Sequence, residues 1–298
     1  MTGPKPPVTL DEMNAVRLSP QGFPMAPSEE EWAALSVEER AAVVAALPGE
    51  VTDAEIAMPE GDRHFQAKTR ALDALRGYYA KQRRQVYLAA ELPVYYPAEP
   101  RFAPDLLAVF DVSDHARDKY VVSAEGKGLD WVLEVHVGGD RKKDAELNVA
   151  RYARLGIPEY FLYDRGRNRL AAYRLAGART YVPIVPQLGR YASQVLGLEV
   201  EVAADRLRFF AGTALLLESG ELIARLEEML ELVTKRAEEE AKRAEEEAKR
   251  AEDEAKRAED EAKRAEDEAK RAEDEAKRAV EAEAEVRRLR AELERLKR

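Results

Sequence analysis

The 298-residue chain carries 48 basic and 58 acidic side chains, a formal net charge of −10, and no cysteine. The missing cysteine excludes disulfides, thiolate zinc sites and cysteine nucleophiles. The acidic balance excludes the basic body of a non-specific nucleic-acid binder. No apolar stretch approaches roughly 18 residues, and the start MTGPKPPVTL has no basic segment followed by an apolar run, so a cytoplasmic protein with no membrane partner is expected.

In chain order, the first 28 residues hold six prolines and read as an extended or flexible segment. Ser28 followed by three glutamates reads as an N-cap with acids in the first turn, and Ser36-Val-Glu-Glu39 as the capping box of a second helix that ends before Pro48. Phe65, Leu72, Leu75 and Tyr79 recur at helical spacing, which predicts an amphipathic helix over 62–83. Strands are predicted at Gln85 to Val94, Asp105 to Val112 and Leu129 to Val137. A helix over 140–155 is closed by Gly156 with Pro158 beyond it. Two further strands flank Asp164-Arg-Gly166, and the stretch from Tyr181 to Phe210 reads as additional strands. The fold class is therefore α/β, a mixed sheet flanked by helices.

Strand alternation singles out the chemistry. From Leu129 onward, Leu129, Trp131, Leu133, Val135 and Val137 share one face, and Asp130, Val132, Glu134 and His136 the other. A charge within an apolar strand is costly unless it is paired or bound to metal. Asp105 poses the same problem at the head of the preceding strand. Two acids on adjacent strands can converge on one divalent ion, which activates water and offsets charge developing on a phosphate. The plainer alternative is a pair of acids satisfied by basic neighbours.

Pro104-Asp105 before an apolar strand, then Glu134-Val135-His136, resembles the PD-(D/E)XK nuclease superfamily with its restriction-endonuclease-like fold. The lead-in helix with His64, ELPVYYP from Glu91, APDLLAV, VLEVHV and YARLGIPEYFLYDRGRNRLAAYRL from Tyr152 narrow the likeness to the branch called the Uma-two family, over about residues 55 to 210. The resemblance implies that Asp105 and Glu134 bind Mg²⁺ or Mn²⁺ with the Val135 carbonyl as a further ligand, and that Glu91 is an auxiliary acid. It implies DNA as substrate and metal-dependent hydrolysis of phosphodiester bonds.

One position departs from the pattern. His136 stands where the motif lysine belongs, and Asn148 stands where this branch usually relocates it. Lys143 is then the expected phosphate contact, at a helix start with free N–H groups. Lys142 and Arg141 are its substitutes. Each side chain also has a plain reading: Lys142 and Lys143 as surface charge, His136 as a packed side chain, and His64 as a helix cap. His115, in a polar loop, gets no role. The missing lysine keeps a second function open, a catalytically inactive nuclease-fold interaction module with the tail as spacer or oligomerisation element.

From Lys235 the sequence is heptad-periodic, KRAEEEA twice and KRAEDEA four times. Alanines take the a and d positions of a coiled coil and glutamates the e and g positions, which repel in a parallel homodimer. Pairs such as Glu238–Lys242 instead support a single solvated helix, about 96 Å long at roughly 1.5 Å per residue. At the tip, Val286, Leu289, Leu293 and Leu296 form an apolar seam with attracting e and g charges, so a homodimer through residues 282–298 is expected. The expected divisions are 1–54 (proline-rich segment and short helices), 55–212 (nuclease-like domain), 213–234 (connecting helix) and 235–298 (charged helix).

Overall fold

The structure is a computed structural model that describes residues 16–50, 61–137, 142–177 and 179–296. The chain forms two compact units, Met1–Ile223 and Ala224–Arg298. In chain order the first contains β1 (Arg17–Leu18), β2 (Pro24–Met25), α1 (Glu29–Ala34), α2 (Val37–Ala46), α3 (Gly61–Gln82), β3 (Val86–Ala89), β4 (Val94–Tyr95) and β5 (Leu106–Phe110). It continues with β6 (Tyr120–Val121), α4 (Val122–Glu125), β7 (Trp131–His136), α5 (Lys142–Arg154), β8 (Glu159–Asp164), β9 (Arg169–Ala176) and β10 (Thr180–Pro183). Strands β11 (Tyr191–Ser193), β12 (Leu198–Ala203), β13 (Arg206–Ala211) and β14 (Ala214–Leu215) follow, and α6 (Ser219–Leu296) ends the chain.

The two short N-terminal helices start at the expected Ser28 N-cap and Ser36 capping box, and Ser28 also forms a full capping box. Ser28 and Ser36 accept from the amides of Glu31 and Glu39, whose carboxylates return the bond. The predicted strand over 85–94 divides into β3 and β4. Between them Glu91 takes a left-handed backbone (φ 52°), a conformation that ends a regular strand. The helix predicted from residue 140 begins at Lys142; residues 138–141, Arg141 among them, lie outside the described residues, as do residues 1–15 and 51–60.

A six-stranded sheet in the order β10-β9-β8-β7-β5-β3 organises the first unit. Strands β7 and β8 are parallel, joined through α5, and the other neighbours are antiparallel. The alternation expected from the sequence holds from Trp131 onward, but Leu129, expected on the Trp131 face, packs in the opposite core with Val132, because the regular strand begins only at Trp131. Leu106, Ala108, Trp131, Leu133, Val135 and Phe161 share a core with α3 and the four-stranded sheet β11-β12-β13-β14. Leu107, Val109, Val132 and Tyr160 face the opposite way, packing with Tyr152 of α5 and Ile157. Burial on both faces explains why β5 and β7 read as near-continuous apolar runs.

Glu159, the acid that opens β8, is 1% exposed and ties three strands together. It accepts from Arg174 Nε at 2.9 Å on β9 and from the Gln194 amide at 2.9 Å after β11, and it is bonded by the Ser193 hydroxyl.

In the second unit the heptad segment is helical throughout its described residues. Glu252–Lys256, Glu259–Lys263, Glu266–Lys270 and Glu273–Lys277 form i,i+4 ion pairs, the class expected from Glu238–Lys242.

Candidate active site

Strand β5 is entered through Pro104, which disfavours helix in the residue before it and leaves Asp105 at the head of an extended run. In register, Leu106 faces Leu133, so Asp105 lies beside Glu134 on the neighbouring strand. The Asp105 amide approaches Glu134 Oε2 at 3.5 Å, and Asp105 Oδ2 accepts the Val135 amide at 2.7 Å. The two acids are thus clamped to each other's backbone. Glu134 points away from the α3 face, as alternation requires, and its Oε1 accepts the hydroxyl of Tyr152 on α5. Asp105 retains 14% side-chain exposure, so the pair stands at the edge of the core with an opening to solvent.

Helix α3 supplies the other half of the site. His64 and Lys68, four residues apart, lie on one helical face. His64 Nε2 is 2.9 Å from Asp105 Oδ1, and Lys68 Nζ is 3.5 Å from the same oxygen. Lys68 is 5% exposed, a rare burial for a lysine without partners. Its ammonium also bonds Glu91 Oε1. Glu91 is held from both sides, since its amide donates to the Pro104 carbonyl at 3.0 Å while its backbone stays left-handed. Such backbone costs of order 1 kcal/mol or more in a non-glycine residue and persists where surroundings over-determine it.

Electrostatics separate the two acids. Burial works to raise the Asp105 carboxyl. The hydrogen bond and charge of His64, the Val135 amide and the charge of Lys68 outweigh it and hold Asp105 below the usual carboxylate range. For Glu134, burial and the charge of Asp105 both push upward and prevail over the Tyr152 hydroxyl and the Asp105 amide. Its carboxyl stands well above the usual range. Asp105 is thus favoured as a carboxylate by its neighbours on α3, whereas burial and the charge of Asp105 favour the protonated form of Glu134.

The donors suit a divalent cation. Two adjacent carboxylates are oxygen donors of the kind Mg²⁺ and Mn²⁺ take, with water completing the shell. Among the described residues no group of three or more His, Asp or Glu side chains could hold a metal ion.

The expected pair, Asp105 and Glu134, is therefore brought together, with Val135 between them and Glu91 reaching the same centre through Lys68. Lys142 and Lys143 open α5, and their side chains are outside those described. His136 closes β7 half-buried, with its carbonyl accepting the Arg165 amide at 2.7 Å. His64 meets Asp105 rather than serving only as a cap. His115 is exposed in its loop and lies 3.3 Å from the Ser113 hydroxyl.

The family model described as "Putative restriction endonuclease", Uma2, matches residues 48–205, just over half of the chain. The chain belongs to the Uma2 family. A solved structure titled as a putative nuclease belonging to DUF820, from Anabaena variabilis ATCC 29413, is similar at 14% identity. The match covers 44% of this chain and 74% of that one, with a TM-score of 0.35. No curated protein matches.

Within this Uma2 chain, Lys68 is the site residue that sequence reasoning missed. The available signal was its spacing: a lysine four positions after His64, on the otherwise apolar side of an amphipathic helix among Ala67, Ala71 and Leu75. Tyr152 was legible only as a family landmark, and its bond to Glu134 gives it a physical role.

Proposed function

We propose that this chain is a metal-dependent endonuclease that hydrolyses DNA phosphodiester bonds, using Asp105 and Glu134 to hold Mg²⁺ or Mn²⁺. The observation that carries the reading is the adjacent pair: Asp105 on β5 and Glu134 on β7, the Asp105 amide 3.5 Å from Glu134 Oε2 and the Val135 amide donating to Asp105 Oδ2 at 2.7 Å. Membership of a family described as a restriction endonuclease supports it. When bound, such an ion polarises the phosphate and lowers the pKa of a coordinated water.

The chain's own groups supply orientation and charge. Tyr152 fixes Glu134, and the Val135 amide fixes Asp105, so both carboxylates are held in place on neighbouring strands. Lys68, held by Glu91, places a positive charge beside Asp105 where charge on a phosphate oxygen would develop. In this reading Lys68, rather than Lys143, replaces the lysine missing at His136, because its ammonium already reaches the acids. Hydrolysis joins a water oxygen to phosphorus and breaks one ester P–O bond. The proton lost by water and the proton gained by the leaving oxygen balance, leaving a phosphomonoester and a hydroxyl. In this reading Lys68 contributes charge and takes no part in the proton transfers.

In the test, purified protein nicks supercoiled plasmid in Mg²⁺ or Mn²⁺ and stops on chelation, and both Asp105→Ala and Glu134→Ala are silent. Cleavage that persists in either variant overturns the assignment. A wild type that neither cuts nor binds Mn²⁺ would make the chain an inactive interaction module.

A homodimer through residues 282–298 completes the proposal. Val286, Leu289 and Leu293 are each about half exposed on the helix, and a parallel second copy would cover them with favourable e and g charges. A second exposed apolar row, Ile223, Leu226, Leu230 and Val233, lies near the start of the same helix.

A further inference from the structure

Charge is unevenly distributed over the acidic body. Between Gly61 and Arg84 there are seven basic residues and two acidic ones, a net of +5. The residues upstream of the charged tail carry −7 in total, the whole-chain −10 less the tail's −3. Helix α3 and the residues after it are therefore a basic element within an acidic unit. The N-terminal part of α3 serves the acids through His64 and Lys68. Its far end does something else.

There Arg76, Arg83 and Arg84 line a cavity of about 500 Å³ together with Tyr79, Gln85 and Asp114. Three arginines and one aspartate line it, and all three arginines are exposed. Arg76 Nη2 donates to the Leu88 carbonyl at 3.2 Å, and the Arg84 guanidinium lies 4.1 Å from the Phe110 ring centroid. A carbonyl and a ring orient two of these side chains, and neither partner carries a charge that would neutralise them. Arg83 has a left-handed backbone (φ 53°), which turns the chain at the helix end and sets it beside the other two.

The cleft sits at the Phe110 end of β5, opposite the Asp105 end, because Val86 and Leu88 on its floor pair with Phe110 and Ala108. Five strand residues at about 3.3 Å each separate the two ends by about 17 Å. A turn of duplex DNA is about 34 Å, so half a turn matches that separation.

We infer that the Arg76–Arg83–Arg84 cleft binds the sugar-phosphate backbone of duplex DNA, about half a turn from the scissile phosphate that an ion held by Asp105 and Glu134 would engage. This rests on the endonuclease reading for its substrate, but the cleft carries affinity rather than chemistry. Guanidinium groups suit phosphate oxygens through paired donors, and such contacts position a duplex without reading its sequence.

The test compares the full chain with the triple variant Arg76→Gln/Arg83→Gln/Arg84→Gln and with the three arginines changed to lysine. A fluorescein-labelled duplex of roughly 20 base pairs is titrated in Ca²⁺ at several salt concentrations. The glutamine variant should bind at least 10-fold more weakly at low salt. Its plot of log affinity against log salt should flatten by about 2–3, since each phosphate contact contributes roughly 0.9. Its nicking should show a raised KM with kcat within about 2-fold of wild type. The lysine variant should recover the salt slope. Single Arg83→Gln, which leaves the Leu88 and Phe110 anchors intact, should give a partial loss even if the triple variant folds poorly. Binding and slope within 2-fold of wild type in both glutamine variants overturn the inference, as does a wild type that binds no duplex. A wild type that binds with the predicted slope yet never cuts refutes the endonuclease reading and leaves the cleft standing.

Discussion

Replacing Glu134 by Gln isolates the charge on which the site depends. Glutamine keeps the shape and an oxygen that accepts the Tyr152 hydroxyl, and removes a carboxylate that burial and Asp105 both disfavour. Relieving an under-compensated buried group should stabilise the metal-free protein by about 1–2 kcal/mol near pH 8. At about 2–4 °C per kcal/mol for a unit of this size, the melting temperature rises by roughly 2–8 °C. The sign follows from linkage. A carboxyl whose folded pKa is raised binds its proton more tightly when folded. It therefore costs nothing in acid, and stability falls as pH climbs from the ordinary carboxylate range toward the raised value. The advantage of Gln should vanish toward about pH 4 and grow above it. Asp105, lowered in the fold, has the opposite slope, losing its contribution as pH falls. Added Mn²⁺ reverses the order: at 100 times its Kd it stabilises wild type by about 2.7 kcal/mol and leaves the variant nearly unchanged. Melting curves across pH with and without Mn²⁺ measure all of this. A Gln variant no more stable than wild type at any pH without metal would show that Glu134 is compensated within the chain.

Three further outcomes follow from named contacts. Lys68→Met should lower nicking by at least 100-fold; its Mn²⁺ affinity should rise, since a positive charge 3.5 Å from Asp105 Oδ1 is removed, and Lys143→Met should cut within about 3-fold of wild type. Glu159→Ala should cost about 3 kcal/mol in urea unfolding, because Arg174, the Ser193 hydroxyl and the Gln194 amide all lose their acceptor. In sedimentation velocity the full chain should run as a dimer and a chain ending at residue 281 as a monomer; a dimer surviving the deletion would place the contact elsewhere, with Ile223, Leu226, Leu230 and Val233 the next segment to delete.

Much of the first unit was legible because its signals are local. The N-cap at Ser28 and the capping box at Ser36 mark their helices, and the period-two pattern of β7 separates Val135 from Glu134 without any tertiary information. Pairing Asp105 with Glu134 needed only adjacent strands, and the register delivers it. What lay beyond the sequence was the geometry between elements. Lys68 comes from a helix packed across the sheet, nearly 40 residues upstream of Asp105, and its only local trace is a lysine on an apolar helical face. The break at Glu91 was equally hidden, since a left-handed glutamate carries no turn signature of its own. Net charge misled in a physical way: a whole-chain value of −10 conceals +5 over Gly61 to Arg84, and potential at a surface depends on the local distribution.

The central claim is that Asp105 and Glu134 together hold the catalytic ion. Anomalous diffraction from a crystal soaked in Mn²⁺ addresses it directly. The predicted result is one strong peak within about 2.3 Å of a carboxylate oxygen of each acid, absent in Glu134→Gln. A peak at other residues, or none at saturating Mn²⁺, would contradict it.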